Sequence, residues 1–427
     1  MNITLTVLSS LLVPLGLINQ FTALTWTSRT TTFGGFELWC PMLPENSELL
    51  KPDNLLWIGG DELGVIETIQ KSTDEQGGTT LQVSGRFIES WLERRIIWGQ
   101  YSGTEVVSNH LRNLVTMNAI SPSDPKRKIP NLTLAVGQSP LGPSVSFSDS
   151  YSNLWTTALE LANANSLFLR VKADVPKGEL RFTILKGTNR SVEQSILPAV
   201  VLSTDLSDIL TDSYTLDATS WCNMSLVAGA GEGIQRKTSE INGSLSGLSR
   251  RELFVDARDL QDYEDWPTVT MVTTSILNEE THGVQIVTKV EMTNPKTGEK
   301  TTTTSTEEKV DETAQAGVIT SEGTTRVPIA TSVYDGMLQE RGKSKLGEVP
   351  LVESFDANIR MYGPRAYEYG VDYFLGDRIT MQDPNLGIQV STEISEVQQS
   401  WDENGYSLSL VLGTSAPTIT QLLKRKE

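Results

Sequence analysis

Leu24-Thr25-Trp26-Thr27 and Phe36-Glu37-Leu38-Trp39, held apart by the glycine pair Gly34-Gly35, decide the fold class of this 427-residue chain. Apolar and polar residues alternate along both tetrapeptides, so each predicts an extended strand with one dry face and one wet face. The glycines supply a turn between them. Outward from this pair the same pattern recurs at residues 4–7 and 55–58, with a second glycine turn at Gly59-Gly60. Residues 63–70 and 79–84 add a hairpin around the polar turn 72–78. Short strands at such close spacing are the pattern of a barrel or sandwich.

The apolar run 5–17 has the look of a signal-peptide core, yet no Lys or Arg precedes Arg29 and Pro14 interrupts it. It predicts a buried strand pair. It is also shorter than the roughly 18 apolar residues of a membrane helix, so no membrane partner is expected. After residue 84 the period changes: Phe87, Trp91, Leu92, Arg95 and Ile96 fall at helical spacing. A stripe of Val107, Leu111, Leu114 and Val115 predicts an amphipathic helix that Pro122, Pro125 and Pro130 end. A further helix over 154–164, capped by Ser152 or Asn153, precedes strands at 167–173 and 180–185. That is an α+β unit.

From about Pro267 the chain returns to β. Val284, Ile286, Thr288, Val290 and Met292 share one side of a strand, Asn294-Pro295-Lys296-Thr297-Gly298 forms a turn, and the β-branched residues 301–304 return. The polar, acidic stretch 307–322 reads as a solvated loop in preference to a strand at the mouth of an assembly. The final strands are expected at 355–361, 377–382, 389–397 and 407–412, broken by Gly363-Pro364 and Asp383-Pro384. The fold class is α+β, mainly β, with boundaries at 1–104 (β-barrel), 105–262 (α+β connection), 263–345 (hairpin-rich insertion) and 346–427 (second β-barrel).

Charge and chemistry narrow the function. With 35 basic and 53 acidic residues the net charge is −18, which disfavours specific nucleic-acid binding. Cys40 and Cys222, with His110 and His282, do not spell a zinc motif, and a disulfide between the cysteines is not expected of a chain made in the cytoplasm. Gly342-Lys343-Ser344 ends like a phosphate-binding loop, but Met337 stands where the first glycine belongs and Gly336 is one place early. Gly229-Ala230-Gly231-Glu232-Gly233 is followed by Ile234 instead of the last glycine of a dinucleotide loop, and reads as a turn between strands. No Gly-x-Ser-x-Gly is present, His110 sits beside an apolar stripe, and His282 lies in a polar turn. A glycosidase needs only two carboxylates, and the pairs to inspect are Asp372 with Asp377 and Asp256 with Asp259. Turn caps and solvated faces account for such residues more simply. No catalytic, cofactor-binding or metal-binding residue is assigned, and no enzyme is expected.

Particular blocks of residues then carry a resemblance. Residues 24–29, Gly34-Gly35-Phe36-Glu37-Leu38-Trp39-Cys40-Pro41, residues 63–67, Val83-Ser84-Gly85-Arg86, residues 92–97, 187–191, 227–233 and 250–259, Tyr373-Phe374-Leu375-Gly376-Asp377-Arg378-Ile379 and residues 394–397 follow the order found in siphophage tail-tip hub proteins. The chain resembles that family over almost its whole length, with residues 270–325 departing from the pattern. The resemblance implies a baseplate hub, similar to the central hub of contractile tails, with two tube-like β-barrels per subunit. Three copies would then ring the tail axis at the distal end of the virion's tail, after synthesis in the host cytoplasm. Its implied partners are itself as a homotrimer, the tail tube and distal tail proteins, the tape measure protein, and tip or fibre proteins, with DNA passing through the lumen. No C-terminal fibre or lytic domain is recognised, so neither receptor binding nor wall cleavage is expected. A receptor- or carbohydrate-binding tip module, and a cell-wall glycoside hydrolase, stand as alternatives; the first would expose an aromatic or polar groove, the second a cleft with paired carboxylates.

Overall fold

The computed structural model describes residues 3–73, 77–203, 209–278, 283–295, 297–310, 317–359, 367–384 and 387–413. The chain divides into two compact units, the first formed by residues 1–227, 239–255 and 336–427 and the second by 228–238 and 256–335. The structure is mainly β, as expected.

The first unit is built on a ten-stranded sheet. Ala23–Arg29 and Gly35–Pro41 pair antiparallel across the Gly34-Gly35 turn, with Trp26 opposite Phe36. Alternation does what the sequence asks of it: Leu24, Trp26, Phe36 and Leu38 are buried, and Trp26 packs 4.6 Å from the Phe87 ring and 5.9 Å from Phe36. Burying a Phe ring in this way contributes roughly 1.5–3 kcal/mol. The sheet continues on one side through Thr79–Arg86 to the edge strand Thr68–Thr73. On the other side the partner comes from the far end of the chain: Ala23–Arg29 pairs with Ile388–Asp402, Leu24 opposite Trp401 and Arg29 opposite Glu396. The Arg29 guanidinium closes that pairing with a hydrogen bond of 2.5 Å to the Glu396 carboxylate. Beyond it lie Gly405–Gly413, Val352–Ile359 and the edge strand Ile209–Asp217. Val201–Ser203 and Arg378–Asp383 branch off Ile388–Asp402. Among the described residues no strand path closes on itself.

The apolar run at the N-terminus forms the pair Leu5–Leu8 and Pro14–Ile18 at the edge of a four-stranded sheet. The pairing is as read, but the burial is not. Leu5, Val7, Leu8 and Leu12 are buried, whereas Leu11 and Val13 in the turn and Leu15 and Leu17 on the edge strand are exposed, because among the described residues no layer covers that face of Pro14–Ile18. A helical layer follows. Ile88–Arg94 is a 3-10 helix, Val107–Val115 is an α-helix, and Leu154–Asn163 is an α-helix whose Asn153 cap accepts hydrogen bonds from the backbone N–H groups of Trp155 and Thr156. These helices bury Leu111, Leu114, Trp155 and Leu161 against Val171, Phe182 and Ile184 of a three-stranded sheet of Leu132–Leu134, Glu179–Leu185 and Phe168–Asp174.

The second unit centres on a four-stranded antiparallel sheet in the order Lys300–Val310, Gly283–Thr293, Tyr263–Asn278, Gly317–Pro328. Here the expected loop over 307–322 is corrected. Its described residues lie in two strands, Lys300–Val310 paired with Gly283–Thr293 and Gly317–Pro328 paired with Tyr263–Asn278; residues 311–316 lie outside the described residues. Main-chain pairing with a β-rich neighbour decides the conformation even where both faces of the strand are polar.

Thr331–Gly347 forms a helix at the end of the stretch 263–345. Gly342 lies inside it because a Cβ at that place would stand 2.7 Å from Ile241 and Val227. The expected breaks at Gly363-Pro364 and the end of the strand 355–361 lie outside the described residues.

Candidate assembly surface

The residues singled out for chemistry are taken up structurally. Gly342-Lys343-Ser344 is helix interior, so its backbone N–H groups are not presented as a phosphate loop. The Gly229–Gly233 segment is a turn after Met224–Ala228, with Gly231 and Gly233 at positive φ and the Lys237 N–H donating to the Ala230 carbonyl. His110 is fully buried: the Tyr101 hydroxyl lies 2.8 Å from Nδ1, and Nε2 lies 3.0 Å from the Val145 carbonyl oxygen. That arrangement holds the strand pair Gln100–Val106 and Ser144–Ser150 against the helix. His282 lies outside the described residues. Cys40 is buried, its thiol pushed up to about 11 by loss of water, and both it and Cys222 are free thiols.

The carboxylate pairs do not assemble into acid–base couples. Asp377 is buried and accepts hydrogen bonds from the Thr188 N–H at 2.8 Å, from Arg190 Nε at 3.0 Å and from the Phe374 N–H at 3.1 Å. Asp372 accepts from the Glu368 N–H at 2.8 Å and so caps its own turn. Asp256 is held by Arg258 and Arg236, which keep its carboxyl well below the usual range. No group of three or more metal-ligating side chains is found among the described residues.

A buried ionic knot had no sequence signal. Arg170 lies on Phe168–Asp174, is 6% exposed and contacts the Glu62 carboxylate. Glu62 also accepts from Trp26 Nε1 at 2.7 Å and from Ser28 Oγ at 2.7 Å. Glu89, 2% exposed, stands 3.8 Å from Arg170. Burial is the largest influence on Glu89 and pushes its carboxyl up to about 8. The knot ties the strand bearing Trp26 to the helical layer, and its parts come from four separated stretches of chain.

What the surface offers is strand. In the second unit, Lys300–Val310 is exposed along its whole length on both faces, and Gly317–Pro328 nearly so, with Val310 at 77% and Ile319 at 69%. The hairpin joining Gly283–Thr293 to Lys300–Val310 is closed by the Asn294 N–H donating to Glu299 O at 2.8 Å and by Gly298 at positive φ. Among the described residues of the first unit, Thr68–Thr73 and Ile209–Asp217 are the open ends of the ten-stranded sheet, and Pro14–Ile18 is one end of the four-stranded one. The outer side of the three-stranded sheet lines an open groove of about 1020 Å³, in which Lys172 pairs with Asp61 and Arg181 with Glu179 and Asp174. Uncovered strand edges are ready-made pairing surfaces. None of the described helices is long and apolar enough to cross a membrane.

No curated protein matches the chain. Among solved structures it is similar to the tail protein from Neisseria meningitidis MC58, at 12% identity and a TM-score of 0.51 over 97% of this chain and 97% of that one. It is similar also to the 43 kDa tail protein of prophage MuSo2 from Shewanella oneidensis, at 12% identity and a TM-score of 0.50 over 96% of this chain and 98% of that one. At that identity the likeness is one of fold, a phage tail-protein fold. The family model described as Siphovirus ReqiPepy6 Gp37-like protein matches residues 4–414, and the chain accordingly belongs to that family of siphovirus tail proteins.

Proposed function

We propose that this tail protein is the structural hub of the tail tip: three copies close a ring at the distal end of the tail tube and link it to the tip, with no catalytic step. The observation that carries the reading is the set of strand edges left without a partner among the described residues, on both ends of the ten-stranded sheet and on the outer strands of the four-stranded sheet. A strand edge left open in a monomer invites pairing with another chain, and closure of a ring covers it. In this reading the stretches 1–104 and 346–427 each supply a tube-like barrel module completed against neighbouring copies, so that three chains present six modules to a sixfold tube. The tail tube, distal tail proteins, tape measure and tip or fibre proteins are its partners, and DNA passes through the lumen without specific binding. Gold-labelled antibody against the chain, applied to intact virions, tests the position: label at the distal tip is expected, and label on the capsid, along the tube or nowhere on the particle contradicts it.

A further inference from the structure

On a chain of net charge −18, one surface of the first unit carries the opposite sign. Arg94, Arg95, Lys126, Arg127 and Lys128 gather there. Arg95 Nε donates to the Arg127 carbonyl at 2.6 Å and Arg127 Nη2 donates to the Ile96 carbonyl at 2.6 Å, which locks the two segments together through backbone oxygens and leaves the guanidinium charges in place. Arg94 reaches Asp53 at 2.7 Å, and Asp124 caps the turn through the Lys126 N–H. Among the described residues Arg95, Lys126, Arg127 and Lys128 make no ion pair. The like-charged neighbours Arg127 and Arg94 add to the burial that lowers the proton affinity of Arg95.

Large apolar side chains stand among these cations. The Arg127 guanidinium lies 4.9 Å over the Trp98 ring, and Trp98 is 66% exposed. The Trp98 N–H donates to Asn118, which sets exposed Met117 close by. Arg94 and Arg95 line a cavity of about 180 Å³ with exposed Leu11 and buried Trp91 and Ile129. Arg, Trp and Met in one place are the composition of a protein-binding surface, where a stacked aromatic anchors and cations set the register.

Two copies of so acidic a chain repel except where the sign reverses. The same unit also carries the complement. Among the described residues Ile209–Asp217 is an open edge strand; neither it nor the interior strand Val352–Ile359 beside it carries Lys or Arg, Leu210 and Leu216 are exposed on it, and Asp212 and Asp217 are exposed as well. We propose that copies meet head to tail, the Trp98 patch of one receiving the strand Ile209–Asp217 of the next. The proposal rests on the ring reading above and adds which surfaces close the ring and that the contact is heterologous, the type that generates rings. Opposed charge supplies encounter and register, and the exposed leucines, Trp98 and Met117 supply burial.

Charge exchange on the full-length chain tests this by sedimentation, with thermal melting to verify the fold. Lys126 and Lys128 are exposed and unpaired by carboxylates, so Lys126→Glu with Lys128→Glu is expected to fold and to sediment as a monomer where the natural chain sediments as a trimer. Asp212→Lys with Asp217→Lys is expected to do the same, and all four changes in one chain are expected to restore the trimer. A natural chain that sediments only as a monomer overturns the ring reading and this contact with it. A trimeric natural chain whose two reversed variants also remain trimeric overturns the contact alone, as does failure of the fourfold exchange to restore association. If the reversed variants stay trimeric but lose binding to a fluorescent duplex DNA probe, the patch serves nucleic acid and the proposal fails; if they stay trimeric but tails no longer assemble, another virion protein occupies it, with the same result.

Discussion

Trp26 shows how much a single residue organises. Its ring fills the space between Phe36 and Phe87 while its Nε1 donates to Glu62, the carboxylate that also meets Arg170. The glycines around it are there for room: a Cβ on Gly34 would stand 2.3 Å from Phe87, and one on Gly85 would stand 1.7 Å from the Val65 carbonyl oxygen. Those glycines fall in the very blocks that carried the family resemblance, which therefore has a packing cause. Glu89 is the residue whose charge state couples to folding. Its folded carboxyl is raised to about 8, against an unfolded value near 4.5, so the folded chain holds a proton that the unfolded chain has released between those values. Stability tied to Glu89 is thus present below about pH 4.5 and falls as pH climbs to about 8, by at most ~1.4 kcal/mol per pH unit. Glu89→Gln is expected to melt higher than the natural protein at pH 8, with the gain shrinking toward pH 5; equal melting temperatures at pH 8 would contradict this. The knot itself was not legible, since nothing local marks Glu62, Glu89 and Arg170 as neighbours. His110, beside an apolar stripe in the sequence, is a packing residue, fully buried and hydrogen-bonded at both nitrogens.

Elements with one dry face and one wet face were legible, because alternation and helical stripes record which side is buried. Ala23–Arg29, Gly35–Pro41, Val107–Val115 and Leu154–Asn163 all belong to this class. Elements without that contrast were not. Lys300–Val310 and Gly317–Pro328 are wet on both faces, so their sequence has the composition of a loop, and only pairing makes them strands. Thr331–Gly347 carries Gly336 and Gly342 inside a helix, where glycine is unfavourable by about 1 kcal/mol relative to alanine, and close packing, of Gly342 on Ile241 and Val227 and of Gly336 on Ser146, is the reason they are tolerated. The exposed strand Lys300–Val310 bears on assembly. A strand with both faces in water contributes little to the monomer, so deletion of residues 288–304 with a short Gly-Ser link is expected to leave the first unit folded, with an unchanged main melting transition, and to weaken the trimer. A trimer of undiminished stability after that deletion would show that this hairpin takes no part in the interface.

For the whole molecule, the decisive contact joins Ala23–Arg29 to Ile388–Asp402, with Arg29 and Glu396 separated by 367 residues. No periodicity marks such a pairing, because each strand's pattern records which face is buried and not which strand lies beside it. The mainly β composition and the family were therefore readable from the chain, while the single sheet uniting its two ends was not. That sheet ends, among the described residues, in Thr68–Thr73 on one side and Ile209–Asp217 on the other, and sister copies are proposed to cover edges of this kind around the tail axis. A reconstruction of the intact tail tip, with the chain traced in it, tests this most directly. Three copies in a closed ring around the channel, edge strand against neighbour, is the predicted result; a single copy, or copies lying off the axis with those edges bare, would contradict it.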